Sequence, residues 1–191
     1  TYQAVSGAGK EGIDELDAQV REHSEGREMT ANILPSASAE KHYPIAFNLI
    51  PQIDVFCDNL YTKEEMKMVN ETKKIMEDYE MRITATTIRV PVYRSHSESV
   101  NIELEKEVDL GAMREALAKF PGVTVQDDPS KQEYPMPLYT SEKDDVYVGR
   151  LRRDESCEKS YNMWVVGDQI RKGAALNTLQ IAETMIKNGW I

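Results

Sequence analysis

The chain has 191 residues and a net charge of −10 at pH 7, with 40% hydrophobic and 29% charged residues. These proportions are typical of a globular protein, and we expect one domain over residues 1–191. The acidic balance argues against nucleic acid and an anionic membrane as partners, since both attract basic surfaces. No apolar run approaches the roughly 20 residues that span a bilayer. Two cysteines are too few for a disulfide framework or a cysteine-built zinc site, so we expect a cytoplasmic protein without a metal.

The first part of the chain predicts a strand, a turn, a helix and a long irregular stretch. Residues 1–5 predict the end of a buried strand, and the small residues 6–9 predict a tight turn where backbone can approach a ligand. Apolar residues at helical spacing predict a helix over residues 11–24. Residues 25–43 are polar and predict a surface excursion. Residues 45–56 are apolar but contain a proline, which predicts a loop that leads to an edge strand.

A capped helix opens the middle of the chain. Thr62 and Glu65 have the spacing of a capping box, in which hydroxyl and carboxylate satisfy backbone N–H groups at the start of a helix. Residues 81–93 alternate and are rich in β-branched side chains, which predicts a strand. Residues 100–105 alternate between apolar and acidic side chains and predict a half-buried strand. Residues 109–119 predict a helix that ends before a Pro-Gly pair.

The last third predicts a loop over residues 129–140, strands near residues 145–152 and 161–167, and a closing helix over residues 172–187. The side chains predicted to face inward from this helix are Ala175, Leu179, Ala182 and Met185 or Ile186. Many of the connections favour antiparallel pairing. The expected fold class is α+β, with a mixed, largely antiparallel sheet covered by helices.

One segment combines an arginine and a histidine at the end of a predicted strand. Arg89 offers a planar fork for a carboxylate or phosphate, and His96 follows it after a proline break. Histidine exchanges protons near neutral pH, so the pair suits acid–base chemistry on an anionic substrate. The alternative is a structural ion pair for Arg89 and a hydrogen-bonded loop position for His96.

The capped helix and the early turn carry further candidates. Glu64 and Lys67 lie three residues apart on one helical face, where they can bind opposite charges of a zwitterionic ligand. A weak surface ion pair is the alternative. The turn at residues 6–9 is compatible with a ligand or with a simple tight turn, and its spacing is not that of a dinucleotide fingerprint.

Neither cysteine has the surroundings of an activated nucleophile. Cys57 lies in an apolar run and is predicted to be a small buried side chain. Cys157 lies between Glu155 and Glu158, whose negative charges oppose thiolate formation.

Six segments carry a resemblance to a known family. They are residues 1–9, 42–48 with 51–53, 61–67, 89–98, 148–152, and 167–169 with 172–175. In this order they resemble the bacterial aspartate-semialdehyde dehydrogenases over most of the chain. Each segment alone is weak, but six in order are specific, and they favour the functional interpretation of the residues above.

The resemblance implies an oxidoreductase that converts β-aspartyl phosphate to aspartate semialdehyde and phosphate with NADPH, on the route to lysine, threonine and methionine. In that family a cysteine attacks the acyl phosphate, phosphate leaves, and the thioester is reduced. The resemblance also implies a fold similar to the C-terminal domain of glyceraldehyde-3-phosphate dehydrogenase-like enzymes. A homodimer or tetramer that associates through this domain is expected.

The resemblance further implies roles for single residues. His96 matches the acid–base histidine, and Gln3 matches the glutamine that orients substrate beside the nucleophile. Arg89 matches the arginine that binds the substrate carboxylate. Glu64 matches the carboxylate that faces the substrate amino group, and Lys67 matches a lysine of the phosphate site. The residues that match cofactor contacts near the nicotinamide are Ser6, Gly7 and Gln169.

The chain also departs from the family. The family's nucleophile, in an Asn-Cys-Ser/Thr stretch, and its glycine-rich dinucleotide fold both precede the position of Thr1. Because the chain also starts without methionine inside a predicted strand, we expect a C-terminal piece of a longer enzyme that is inactive alone. Arg94 and Ser95 stand where small residues often precede the histidine of the family.

Two other functions stay open at this point. The chain can be a self-association module, or part of a related acyl-phosphate reductase such as the N-acetylglutamyl-phosphate enzyme or a phosphorylating aldehyde dehydrogenase. Glu64 discriminates against the acetylated substrate, because an acetylated amine has no positive charge for a carboxylate to bind.

Overall fold

The computed structural model describes all 191 residues, which form two compact units, Thr1–Tyr93 and Arg94–Ile191. The elements of the first unit are β1 (Tyr2–Ala4), a 3-10 turn (Val5–Ala8), α1 (Gly9–Ser24), α2 (Lys63–Met76) and β2 (Ile88–Val90). Those of the second unit are β3 (His96–Glu103), α3 (Leu110–Lys119), β4 (Val123–Val125), a 3-10 turn (Pro129–Lys131), α4 (Pro137–Thr140), β5 (Val146–Arg153), β6 (Ser160–Gly167), a π-helical turn (Arg171–Ala175) and α5 (Leu176–Lys187).

The core of the first unit lies between α1 and the long loop that follows it. Its buried side chains are Val5, Leu16, Leu34, Ile45, Ala46 and Ile50. The prediction of a surface excursion over residues 25–43 is therefore wrong at Leu34, which is fully buried. Two polar side chains of α1 make this burial possible by accepting loop N–H groups. Glu15 accepts those of Asn32, Ile33 and Leu34, and Gln19 accepts those of Ile45 and Ala46.

The start of α2 confirms the predicted capping box. The Thr62 hydroxyl accepts the Glu65 N–H, and the Glu65 carboxylate accepts the Thr62 N–H at 2.8 Å. Both residues are buried, so the box lies inside the unit.

In the first unit, one predicted strand is much shorter than its pattern suggested and another does not form. Only Ile88–Val90 of residues 81–93 forms a strand, since its partner β1 has just three residues. Residues 45–56 form no strand and contribute only isolated bridges, from Ile50 to Arg89 and from Phe56 to Thr62. Strand length is decided by the available partner, and the alternation of side chains does not reveal it.

The second unit carries a sheet in the order β3-β6-β5-β4. The long pairs β3–β6 and β5–β6 are antiparallel, as predicted, and β4–β5 is parallel. The short pair β1–β2 in the first unit is parallel as well. The fold class is thus α+β with mixed, largely antiparallel pairing. Sequence reasoning missed β4, because three residues are too few for a visible alternation. It therefore also missed the parallel pairing of β4 with β5.

A bulge in β5 depends on a glycine. A Cβ at Gly149 would lie 2.3 Å from the carbonyl oxygen of Gln126 and 2.6 Å from Pro135 Cδ, so no larger residue fits. The next residue, Arg150, has φ of 55°, and its N–H donates to the buried Asp127 carboxylate at 2.7 Å. The Arg114 guanidinium lies 2.8 Å from the same carboxylate, so Asp127 contacts both Arg114 and the bulge.

The last helix differs from its prediction. It begins as a π-helical turn, and α5 itself has no buried residue. Leu179 and Ile186, predicted to face inward, are 62% and 65% exposed. The predicted loop at residues 129–140 contains a 3-10 turn and α4. No helix in the chain is long and apolar enough to cross a membrane.

Candidate functional site

Three of the predicted site residues meet at the β1–β2 pair of the first unit. Gln3 lies opposite Arg89 in the parallel register, and both side chains are buried. The Gln3 amide Nε2 donates to Glu64 Oε1 of α2 at 3.1 Å. An amide, a guanidinium and a carboxylate are thus held together within one unit.

Arg89 is a buried cation with incomplete hydrogen bonding. It is 3% exposed, and its Nη1 donates to the Ala4 carbonyl at 2.7 Å. Its Nε is buried without a hydrogen-bond partner. Burial lowers the pKa of Arg89 to about 10, and the Glu64 carboxylate opposes this shift. The guanidinium is still charged at neutral pH, so a site with an unused buried N–H suits a planar anion such as a carboxylate.

Helix α2 brings the second cation to the same group. Lys67 Nζ lies 3.6 Å from Glu64 Oε2, one turn along the helix, and the lysine is largely exposed. Glu64 therefore contacts both Gln3 and Lys67. The ion pair between Lys67 and Glu64, considered as the alternative, is present, but its Glu64 carboxylate also accepts a hydrogen bond from the buried Gln3.

Sequence reasoning found Glu65 only as a capping residue, although it also connects α2 to the arginine strand. Its Oε1 accepts the N–H of Thr87 at 2.9 Å, directly before β2, while Oε2 accepts the N–H of Thr62. One carboxylate therefore joins the helix of Glu64 to the strand of Arg89. The capping box indicated Glu65 from the sequence, but its contact with the Thr87 N–H is visible only in the tertiary structure.

Ser6 and Gly7 lie in the 3-10 turn that directly follows β1. Ser6 is buried and Gly7 is exposed, so the turn presents bare backbone at its surface. The N–H groups of Val5 and Ser6 donate to the carbonyls of Val92 and Tyr93 at 2.8 and 3.1 Å. The turn is therefore held by the segment that follows β2.

The remaining two predicted site residues meet in the second unit. His96 begins β3 opposite Gly167, the last residue of β6, and Gln169 follows two residues later. The Gln169 Oε1 accepts the N–H of Ser95, the residue before the histidine, at 3.1 Å. His96 and Gln169 are thus brought to the same end of the sheet.

Asp168 is a buried carboxylate at this end that sequence reasoning did not single out. It is fully buried, and its oxygens accept the N–H groups of Glu142, Ile170 and Arg171. Arg94 Nε lies 2.6 Å from its Oδ2. Burial raises the pKa of Asp168, but the Glu142 and Arg171 N–H groups and the Arg94 charge outweigh it, so the pKa lies below its usual range. Its position between a strand and a helix was the only sequence signal.

The two cysteines lie in connecting segments, one in each unit. Cys57 is half-buried in the loop before α2, and Cys157 is exposed in the turn between β5 and β6. The Cys157 sulfur contacts the Glu158 carbonyl at 3.6 Å. The chain contains no group of three or more His, Cys, Asp or Glu side chains that can hold a metal ion.

Comparison with known proteins places these residues in a family context. The chain is 50% identical over its whole length to an aspartate-semialdehyde dehydrogenase of Aquifex aeolicus, and 50% identical over 188 residues to that of Bacillus subtilis. It covers 54% of each of these relatives, so it spans about half their length.

Solved structures agree with the sequence relatives. Aspartate semialdehyde dehydrogenase II of Vibrio cholerae superposes with a TM-score of 0.89 at 42% identity, over 97% of this chain and 53% of that one. The same enzyme has been solved in complex with ASA. Residues 1–172 match the family model described as "Semialdehyde dehydrogenase, dimerisation domain". The chain therefore belongs to the semialdehyde dehydrogenase family and contains its dimerisation domain.

Proposed function

We propose that this chain forms the substrate-recognition half of an aspartate-semialdehyde dehydrogenase. The full-length enzyme would reduce β-aspartyl phosphate to aspartate semialdehyde and release phosphate. The observation that carries this proposal is the buried Arg89 guanidinium, with an unpartnered Nε, beside Gln3 and Glu64. A fixed cation next to a carboxylate matches the α-carboxylate and α-ammonium groups of an aspartyl substrate.

Each proposed role follows from the chemistry of the side chain. Arg89 binds the substrate carboxylate, Glu64 binds the ammonium group, and Lys67 binds phosphate at the exposed edge of α2. Gln3, held by Glu64, orients the acyl group. His96 accepts the proton of the attacking thiol and returns a proton when the product leaves. The attacking cysteine belongs to a part of the full-length enzyme that this chain does not match, since neither Cys57 nor Cys157 has the surroundings of a nucleophile.

NADP is the proposed cofactor, and its reduced form supplies hydride to the thioester when bound. Ser6, Gly7 and Gln169 are the residues of this chain that would lie near its nicotinamide. Gly7 is exposed and has no side chain of its own, so a flat ring can approach its backbone. The Gln169 side chain accepts the Ser95 N–H, which holds it at the end of β6.

A homodimer is the proposed assembly, and the dimerisation-domain description of the matching family model supports it. A tetramer built from two such dimers is the extended form of this proposal. We place the enzyme in the cytoplasm, in line with two cysteines that form no disulfide.

The proposal is tested with the full-length enzyme and two arginine variants. R89M removes the buried cation, and R27M removes an arginine of the same unit whose ion pairs with Glu22 and Glu25 lie at the surface. We expect R89M to lower kcat/KM for β-aspartyl phosphate by about a hundredfold or more, because removing one partner of a buried, hydrogen-bonded charge pair with a ligand costs roughly 2–5 kcal/mol of binding free energy. R27M is expected to behave as the wild type.

The thermal midpoint of unfolding shows whether a variant loses activity because it binds substrate poorly or because it is less stable. We expect R89M to keep the wild-type midpoint, since an incompletely bonded buried charge stabilises little. H96N is expected to lower kcat by about 10²–10⁴-fold with a small change in KM. An enzyme that oxidises no NADPH with β-aspartyl phosphate, or an R89M variant with wild-type kcat/KM, would contradict the proposal.

The related acyl-phosphate reductases are distinguished by the same assay. Glu64 is positioned to contact a positively charged group, and N-acetylglutamyl phosphate has none. Turnover of the acetylated substrate in preference to β-aspartyl phosphate would favour that alternative.

A further inference from the structure

The residue before the proposed acid–base histidine has an unusual backbone conformation. Ser95 has a φ of 77°, a left-handed backbone conformation that residues other than glycine rarely adopt. It is only 1% exposed. Such a conformation persists only when surrounding contacts hold it. Ser95 directly precedes His96, the first residue of β3, so its backbone conformation affects where the histidine lies within the second unit.

Two contacts hold Ser95 itself. Its Oγ lies 2.7 Å from the Thr140 Oγ1, and both hydroxyls are buried. Its N–H donates to the side chain of Gln169 at 3.1 Å. The turn is therefore connected to α4 on one side and to the proposed nicotinamide contact on the other.

Asp168 holds the segments around this turn. Its carboxylate contacts Arg94 Nε, directly before Ser95, and accepts the N–H groups of Ile170 and Arg171, directly after Gln169. It also accepts the Glu142 N–H at 2.7 Å, two residues after Thr140. One fully buried carboxylate thus joins the three segments that carry Ser95, Gln169 and Thr140.

We propose that Asp168 and the Ser95–Thr140 hydroxyl pair are positioning residues that hold His96 and Gln169 in one fixed arrangement. The inference rests on the proposed function, in which His96 moves protons and Gln169 lies near the nicotinamide. Proton transfer needs reacting atoms within hydrogen-bond distance, so a loosened turn lowers kcat. Binding of the substrate carboxylate at Arg89 does not use these residues, so KM changes little.

The test compares three variants of the full-length enzyme. D168N preserves shape but removes the charge that holds Arg94, and T140V removes the hydroxyl partner of Ser95 with little change in volume. D144N is the matched control, since Asp144 is exposed and pairs only with Arg171 at the surface of the same unit. We expect kcat to fall by about tenfold to a hundredfold in D168N and about tenfold in T140V. The KM for β-aspartyl phosphate is expected to stay within about threefold, and D144N should match the wild type.

A second readout follows the histidine directly. The enzyme is labelled at the imidazole Cε1 of its histidines, and the His96 signal is assigned with H96N. We expect the His96 signal to shift or broaden in D168N and T140V and to stay in place in D144N. A merely structural role for Asp168 would lower the thermal midpoint without moving this signal.

The outcomes separate this inference from the proposed function. If the wild-type enzyme lacks the proposed activity, the proposed function fails, and the His96 signal still decides the inference. The inference is overturned if the His96 signal is unchanged in both D168N and T140V, or if the kcat of both variants equals that of D144N. If D168N does not fold, T140V alone decides in the same way.

Discussion

At the scale of single residues, buried charges differ in whether the protein satisfies them. Asp168 accepts three backbone N–H groups and contacts Arg94, so its charge is fully compensated within the chain. Arg89 has one carbonyl acceptor and a buried Nε without a partner. A satisfied charge serves the structure, whereas an unsatisfied one is available to a ligand. The residue type indicated Arg89 from the sequence, but the hydrogen bonds of both residues follow only from the tertiary structure.

Glu98 gives a pH prediction at the same scale. It lies on β3, two residues after His96, and burial raises its pKa above the usual value of a glutamate. Because the pKa of Glu98 is higher in the folded state, its contribution to the free energy of unfolding is fully present below pH 4.5, the unfolded value. That contribution is lost as the pH rises through the folded pKa. We therefore expect E98Q to increase the free energy of unfolding at pH 7, with a smaller gain towards pH 4.

The measurement is urea unfolding of the 191-residue chain at several pH values. E105Q is the control, because Glu105 is exposed after the same strand. A gain for E98Q that is equal at pH 4 and pH 7, or that E105Q reproduces, would contradict the argument.

At the scale of elements, local signals were predictable and pairing was not. The start of α2 was correct, because a capping box involves residues only three apart. The bounds of β5 and β6 were nearly correct, because each is long enough for its pattern to show. Residues 81–87 were wrongly assigned to a strand, because the decisive factor is the three-residue length of β1, far away in sequence.

Glu65 gives the prediction for this scale. Its two carboxylate oxygens accept the N–H groups of Thr62 and Thr87, both buried, and a glutamine offers only one acceptor oxygen. E65Q therefore leaves one buried N–H unsatisfied, which costs roughly 1–3 kcal/mol. We expect the urea midpoint of the chain to fall accordingly, and we expect KM of the full-length enzyme to rise because Glu64 and Arg89 lose their common support.

A matched control lies on the same helix. Glu71 is exposed on α2, so E71Q is expected to leave both the midpoint and KM unchanged. Equal midpoints for E65Q and E71Q would show that the second contact of Glu65 contributes nothing.

At the scale of the whole molecule, each of the two units exposes several large apolar side chains. Large exposed hydrophobic residues include Phe47, Leu60, Leu138, Tyr139, Leu179 and Trp190. The family model describes this region as a dimerisation domain, which agrees with such exposure.

Association and activity of the 191-residue chain are therefore expected to separate. We expect a dimer in sedimentation experiments at micromolar concentration, since the dimerisation domain spans residues 1–172. We also expect no NADPH oxidation, because neither cysteine has the surroundings of a nucleophile. A clean monomer would argue against the first expectation, and measurable turnover would argue against the second.

The sequence by itself determined the fold class, the capped helix, the strands β5 and β6 and the identity of the candidate residues, because each depends on residue type or on short spacings. Only the tertiary structure decided that Gln3, Glu64 and Arg89 form one group, and that Asp168 joins the segments around His96 and Gln169. It also showed that α5 buries none of its side chains. These features depend on contacts between residues far apart in the chain, and periodicity within a segment carries no information about its partner.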